Sequence, residues 1–384
     1  RSLLPSRADV STGGASSSSD GTWLRTSLRW PVRSSNSPRR RDRSFRSKFS
    51  LNMAGIVEPK REKVERVDVV LAFPLSADGA AAPVKGCPTY AFLPIREFGF
   101  SFYIQADFVL ISSREGIHEE LPWNRRLRDS IAPAFVAAVE EFKAHPALSL
   151  SYLRFLPGKS EVVDPFFVPV VAQTIDALKE VACIPAEGGG WRKPAEVLLA
   201  SDAIRELFTS ADAVALFGAD YPAPGFVPPE GGLERLSCRK LLIPEVLEVF
   251  GKHSEWLKGK DLAWKVQFYE YIAKSPKRAD YVAGMLKLPC IPAADGRMAT
   301  PEGDAVFYPL SSTEMYGFEH MLTVVDGEFH ARATETAPDV VTLLDSLGVQ
   351  HDEPYELIQR HVLPHHTSEG FEKADRPALL GHVR

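Results

Sequence analysis

The stretch Phe100-Ser101-Phe102-Tyr103-Ile104-Gln105-Ala106-Asp107-Phe108-Val109-Leu110 decides the fold. In an extended chain, Phe100, Phe102, Ile104, Ala106, Phe108 and Leu110 share one side, while Ser101, Tyr103, Gln105 and Asp107 share the other. That alternation predicts a long strand with one buried face. Two shorter strands precede it. In Arg66–Phe73, Val67, Val69, Leu71 and Phe73 share a face with Asp68 opposite, and Thr89–Leu93 ends at Pro94. Ala80-Ala81-Ala82-Pro83 and Lys85-Gly86 read as the loose connection between them. A sheet with one apolar face needs a cover. Trp123, Leu127, Ile131, Phe135, Val139 and Phe142, mostly four residues apart, predict one long helix that supplies it. Residues 61–157 therefore read as a small α/β domain.

Beyond it, the chain repeats itself at an offset of 107 residues. Cys183-Ile184-Pro185-Ala186 matches Cys290-Ile291-Pro292-Ala293, Gly189 aligns with Gly296, and Pro194 with Pro301. Each copy, around 183–199 and 290–308, reads as a strand closed by proline, a glycine turn and a returning strand. Helical stripes surround the repeats: Val171, Ile175 and Leu178; Trp264, Phe268, Tyr271 and Ile272; and Leu343, Leu344 and Leu347 before Gly348. A further helix is expected from Asp352 through Tyr355, Ile358 and Val362 to Pro364. The predicted class is α+β, a small α/β domain followed by a mainly helical region (158–384) with short β-hairpin repeats.

Charge divides the chain unevenly. Residues 1–52 hold ten Arg and one Lys against three Asp, a net of +8, so the formal −5 of all 384 residues leaves −13 on residues 53–384. Residues 1–60 contain fourteen serines and the run Pro38-Arg39-Arg40-Arg41-Asp42-Arg43, a composition that predicts a disordered leader. It reads as an organellar transit peptide, as a nuclear import signal or weak nucleic-acid patch, or as a solvated tail. The sequence begins at Arg1 and its first methionine is Met53, so a fragment or a processed or mistranslated start is expected. The acidic body is a poor binder of phosphate backbones, and only the arm is suited to nucleic acid. No stretch approaches the ~18 apolar residues of a membrane span. Cys87, Cys183, Cys238 and Cys290 lie 96, 55 and 52 residues apart, which argues for buried single thiols in an intracellular, reducing compartment.

Between the long strand and the predicted helix lies Ile111-Ser112-Ser113-Arg114-Glu115-Gly116-Ile117-His118. Loops that follow strands present functional groups on a rigid support, and Arg114 is a planar, permanent cation suited to phosphate oxygens. A surface ion pair is the plain alternative. Tyr90-Ala91-Phe92-Leu93-Pro94, Phe98-Gly99-Phe100, Ile104–Leu110, Ser112-Ser113-Arg114-Glu115 and Trp123-Asn124 together resemble the plant NO VEIN family, with a looser likeness to the sacsin family. The resemblance is close over about residues 64–145. In those families the stretch follows an ATP-binding domain of the heat-shock-chaperone and histidine-kinase type. It further resembles the middle, transducer domain of the ninety-kilodalton heat-shock chaperones, whose Leu–polar–polar-Ser-Arg-Glu turn carries an arginine that reaches the ATP γ-phosphate.

The resemblance implies a transducer-like domain with Arg114 as the nucleotide-sensing residue, Ser113 and Glu115 beside it, and His118 where the chaperones place a glutamine. ATP and Mg²⁺ would enter only through a missing upstream domain. Asp295-Gly296-Arg297 and Asp78-Gly79-Ala80 lack the second glycine of the Asp-x-Gly-x-Gly turn that the ATP-binding domain of the resembled superfamily carries, and no Walker loop or Gly-x-Ser-x-Gly is present. Glu187-Gly188-Gly189-Gly190 has no following Lys-Ser/Thr helix start for a phosphate cradle. His361, His365 and His366 near Asp352 and Glu353 lack metal-ligand spacing, and no metal site is expected. The sequence thus predicts a non-catalytic segment that couples its own upstream ATP-binding domain to a helical region contacting client or partner proteins. A protein-interaction scaffold without nucleotide coupling is the alternative.

Overall fold

The computed structural model describes residues 43–59, 61–158, 160–309 and 322–351, all of which belong to one compact unit. Its sheet has five strands: β1 (Arg43–Asn52), β2 (Arg66–Leu75), β3 (Pro88–Ala91), β4 (Leu93–Glu97) and β5 (Tyr103–Gln105), in the order β1-β2-β5-β3-β4. Only β3 and β5 run parallel; the other neighbours are antiparallel.

Strand β1 places Arg43–Asn52, part of the expected leader of residues 1–60, in the sheet. Its ten residues pair in register with β2, from Arg43 opposite Leu75 to Asn52 opposite Arg66. Arg46 and Lys48 point away from the core, while Phe45, Ser47, Phe49 and Leu51 turn towards it. Lys48 meets Asp68 of β2 at 2.8 Å, and the buried Ser47 hydroxyl donates to Glu141 at 2.6 Å. The basic residues are thus the solvent face of a half-buried strand.

The predicted long strand keeps its alternation but not its ladder. Phe100, Phe102, Ile104, Ala106 and Phe108 are all buried, yet only Tyr103–Gln105 pairs as a strand. The predicted covering helix is two helices, α1 (Pro122–Asp129) and α2 (Ile131–Lys143). The break at Ser130 follows from Pro133, which has no N–H to offer the Asp129 carbonyl and whose ring crowds it. Trp123, Leu127, Phe135, Val139 and Phe142 remain completely buried, and Phe73 meets Phe102, Phe135, Phe142 and Phe155 with ring centroids 4.8–5.8 Å apart. This first core does not stop at residue 157. It runs on through α3 (Val168–Lys179) and reaches Cys183, Val197 and Cys238.

The Cys-Ile-Pro-Ala motifs each begin a larger module. The first holds hairpin β6 (Ile184–Pro185) and β7 (Trp191–Arg192), then β8 (Leu198–Leu199), α4 (Asp202–Leu207), α5 (Ser210–Phe217), α6 (Gly232–Arg235) and β9 (Arg239–Lys240). Helices α7 (Ile243–Lys252), α8 (Ser254–Lys258), α9 (Leu262–Ala273) and α10 (Arg278–Met285) follow. The second module holds hairpin β10 (Ile291–Pro292) and β11 (Met298–Ala299), then β12 (Val306–Phe307), β13 (Thr323–Val324), α11 (Gly327–Thr336) and α12 (Pro338–Ser346). Equivalent hydrogen bonds recur in both. Ala186 N donates to Gly190 O and Ala293 N to Arg297 O, both at 3.0 Å; Ala223 N donates to Pro185 O at 2.8 Å and Asp326 N to Pro292 O at 2.9 Å. The return strand closes each copy, through Arg239 N to Val197 O at 3.0 Å and Gln350 N to Val306 O at 2.9 Å.

Each motif cysteine sits at the same kind of anchor. Its thiol donates to a helix-end carbonyl, Leu178 or Met285, at 3.4 Å, and its own carbonyl accepts from a buried tyrosine, Tyr152 or Tyr269. The second module lies in a separate core that runs from Leu198 to Val349. The expected helix from Asp352 and the histidines 361, 365 and 366 lie outside the described residues.

Removing either tyrosine hydroxyl leaves a buried carbonyl without its donor. Tyr152→Phe and Tyr269→Phe should each lower unfolding free energy by about 1–3 kcal/mol. The double variant should lose the sum of the two, because the anchors lie in different cores. Urea denaturation followed by circular dichroism measures both effects.

Candidate functional site

The segment after β5 exchanges its strand partner for side chains of α1. Trp123 Nε1 donates to the Asp107 carbonyl at 2.9 Å. Asn124, completely buried, accepts from Val109 N through Oδ1 and donates through Nδ2 to the Val109 and His118 carbonyls, each at 2.8 Å. One amide thus takes both polar groups of Val109 and grips the opposite side of the turn at His118. Asp107 itself receives Arg61 at 2.6 Å on both oxygens, and that hydrogen bond holds the Arg61 guanidinium pKa above its ordinary value despite burial. The Arg61 guanidinium also lies 5.4 Å from the Trp123 ring centroid.

From this base a tight hairpin projects. His118 N donates to Val109 O at 3.0 Å, Leu110 and Ile117 form an antiparallel bridge, and Ile111 N donates to Gly116 O at 3.1 Å. Arg114 closes the tip: its N–H donates to Ile111 O at 2.9 Å, and its φ of +62° lies in the left-handed region that favours glycine. Ser113 Oγ accepts from Glu115 N at 3.4 Å. Ser113, Arg114, Glu115 and His118 are all exposed. Among the described residues the Arg114 guanidinium has no ion pair or side-chain hydrogen bond.

The hairpin divides the four predicted residues between two open concavities. Arg114 and His118 line one of about 510 Å³ together with Glu58, Ser112 and Leu121. Ser113 and Glu115 line the other, about 700 Å³, beside the 2.6 Å ion pair of Arg96 with Asp164. Arg114 and His118 therefore share a surface on which Ser113 and Glu115 have no part. Sequence reasoning did not assign Asn124, Arg61, Asp107 or Glu58 to this site. The Trp123-Asn124 pair was the available signal.

The remaining sequence candidates fall elsewhere. The N–H of Gly188 donates to the buried Asp220 carboxylate at 3.1 Å, which also receives Ser210 Oγ and Tyr221 N at 2.7 Å. The glycine loop thus holds a carboxylate of the protein itself. A side chain at Gly188 would place Cβ 2.8 Å from that oxygen, which explains the residue. All four cysteines are free and buried; burial pushes Cys87, Cys238 and Cys290 up to about 12 and Cys183 to about 11, so the thiol form prevails at neutral pH. Among the described residues no three His, Cys, Asp or Glu side chains are placed to hold a metal, and no helix is long and apolar enough to cross a membrane.

The chain is similar to Protein NO VEIN of Arabidopsis thaliana, at 24% identity over 356 residues. The relationship is NO VEIN-like. The match covers 79% of this chain and 13% of Protein NO VEIN, so the chain spans a small part of that relative's length. No family model and no solved structure matches.

The base and tip of the hairpin respond differently to substitution. Asn124→Ala leaves the Val109 N–H without its acceptor and takes one of two donors from each of the Val109 and His118 carbonyls, and should cost roughly 1–3 kcal/mol. Arg114→Gly removes the positive-φ penalty at an exposed tip and should raise stability by up to about 1 kcal/mol. Chemical denaturation of both variants beside the parent reads the two opposite signs.

Proposed function

We propose that this chain is a non-catalytic, transducer-like segment of a longer NO VEIN-like protein of the chaperone-type ATPase class. It couples an ATP-binding domain to the helical modules, and Arg114 senses or completes the nucleotide site of that domain. The observation that carries the reading is Arg114 itself: an exposed guanidinium, without a partner among the described residues, on a tip whose base is fixed by Asn124. Fixing the backbone while leaving the cation unspent suits an arginine that completes a site on another domain.

In this reading ATP and Mg²⁺ belong to the other domain. This chain's part is to bring a planar cation to the phosphate end of the nucleotide, where negative charge develops during transfer. His118, on the same concavity, offers a further polar group, whereas Ser113 shapes the tip through its bond from Glu115 N. A displacement of the hairpin is passed to α1 through Asn124 and Trp123, and from α1 into the core shared with α3 and the first repeat module. That route supplies the coupling to partner or client proteins.

A second reading, an interaction scaffold without nucleotide coupling, draws on Phe92 and Leu93. They stand 78% and 61% exposed at the turn between β3 and β4, and Phe92 has a φ of +64°.

The test joins the segment to its native ATP-binding domain and compares Arg114→Ala and Arg114→Lys with the parent. ATP turnover should fall by at least about 100-fold in Arg114→Ala, with only partial recovery in Arg114→Lys, because an ammonium lacks the planar fork. The thermal midpoint should hold, since Arg114 is exposed. Unchanged turnover in Arg114→Ala removes the nucleotide reading and leaves the scaffold.

A further inference from the structure

Lys260 sits on the Gly259-Lys260-Asp261 elbow between α8 and α9, inside a cage of side chains. Its Nζ lies 4.2 Å from the ring centroid of Trp256 and 5.6 Å from that of Trp264. The two indoles are perpendicular, at 89°, with centroids 5.3 Å apart. Asp212 of α5 closes the third side and receives Lys260 Nζ at 3.1 and 3.2 Å. Trp256 Nε1 points to the same carboxylate at 3.2 Å, and Trp264 Nε1 donates to the Leu207 carbonyl at 2.6 Å. Phe208 stacks on Trp256 and Phe268 on Trp264, which fixes the ring planes from behind.

Two indole faces at right angles with one carboxylate form a surface for a cation that carries both apolar substituents and N–H groups. The lysine and aspartate side chains are only 22% and 15% exposed, so water competes little for either charge. The cage walls belong to α5, α8 and α9, whereas the cation comes from a surface elbow flanked by exposed Gly259 and Asp261. The Trp256–Asp212 and Trp264–Leu207 hydrogen bonds that hold the walls do not involve Lys260, so its rotation out of the cage would break neither.

We propose that Trp256, Trp264 and Asp212 form an alkylammonium-binding site, closed by the chain's own Lys260. Its ligand is a primary or monomethylated ammonium, the chemistry of a free or methylated lysine side chain. Asp212 sets that preference, because it receives Lys260 Nζ on both oxygens, which a primary or monomethylated ammonium can repeat with two N–H groups and a quaternary ammonium cannot. Lys260 is a tethered competitor, and an incoming ammonium displaces it by taking over the same two kinds of contact. The site lies in the helical region, away from the Arg114 hairpin, and is independent of the nucleotide reading.

The test titrates the full chain and its Lys260→Ala variant with n-butylammonium, N-methylbutylammonium and tetramethylammonium chlorides, with sodium chloride as control. Indole fluorescence and the thermal midpoint are followed. Lys260→Ala should bind both N–H-bearing ammoniums saturably and at least tenfold more tightly than the parent chain, with tetramethylammonium weaker. Adding Asp212→Asn should abolish the difference. If Lys260→Ala does not fold in sodium chloride, butylammonium should restore its native circular dichroism. Equal responses of parent and variant, equal responses to butylammonium and sodium, or no restoration of an unfolded variant would each overturn the proposal.

Discussion

A strand that leaves its ladder must still satisfy every buried backbone group, and that constraint governs this structure at Asp107–Val109. Past Gln105 the chain stays extended and its apolar side chains stay in the core, as the burial of Ala106 and Phe108 shows. Bare N–H and carbonyl groups there would cost more than the packing returns. Trp123 and Asn124 take the place of the missing strand, with indole and amide groups delivered by the first turn of α1. The helix is thereby docked on the sheet in one register, and the same contacts fix where the hairpin leaves it. A smooth apolar helix face would pack as well but would allow α1 to slide.

The same economy organises the repeat modules. A Cys-Ile-Pro-Ala strand is too short to satisfy its own polar groups, since proline has no N–H and each partner contributes only two paired residues. A buried tyrosine hydroxyl and a helix-end carbonyl complete each copy. Cysteine suits this place because its thiol is apolar enough to bury and polar enough to donate weakly. Burial favours the protonated thiol in both modules, as suits a group that packs and donates weakly.

Legibility in the sequence followed the range of the interaction. The alternations in Arg66–Phe73 and Phe100–Leu110 marked the buried faces correctly, because burial depends on side-chain period alone. The extent of hydrogen bonding in the second did not follow, since it depends on what α1 brings against it. Strand β1 was hidden by its own chemistry. Arg46 and Lys48 face solvent, and one inward position is Ser47, so neither composition nor an apolar pattern marked it. The helix break at Ser130 was written in Pro133, but the apolar stripe runs through it unbroken. At the candidate site, the loop that carries Arg114 was legible as the connection between strand and helix. Asn124 was not, because its function arises only when it faces Val109, fifteen residues away across the turn.

The two hairpin tips with non-glycine residues at positive φ bear on how the sheet is used. Phe92 and Arg114 each occupy a conformation that glycine adopts with less strain, and each is exposed, so packing does not account for either choice. Strand β3 runs parallel to β5, which brings the Phe92 turn to the same end of the sheet as the segment leading to Arg114. One end of a five-stranded sheet therefore presents an aromatic side chain and a guanidinium without a partner among the described residues, both at some cost in backbone strain. A surface selected only for solubility would carry glycine or asparagine at such turns. The apolar and the cationic projection thus leave the sheet at one end, each on a turn whose backbone glycine would hold with less strain.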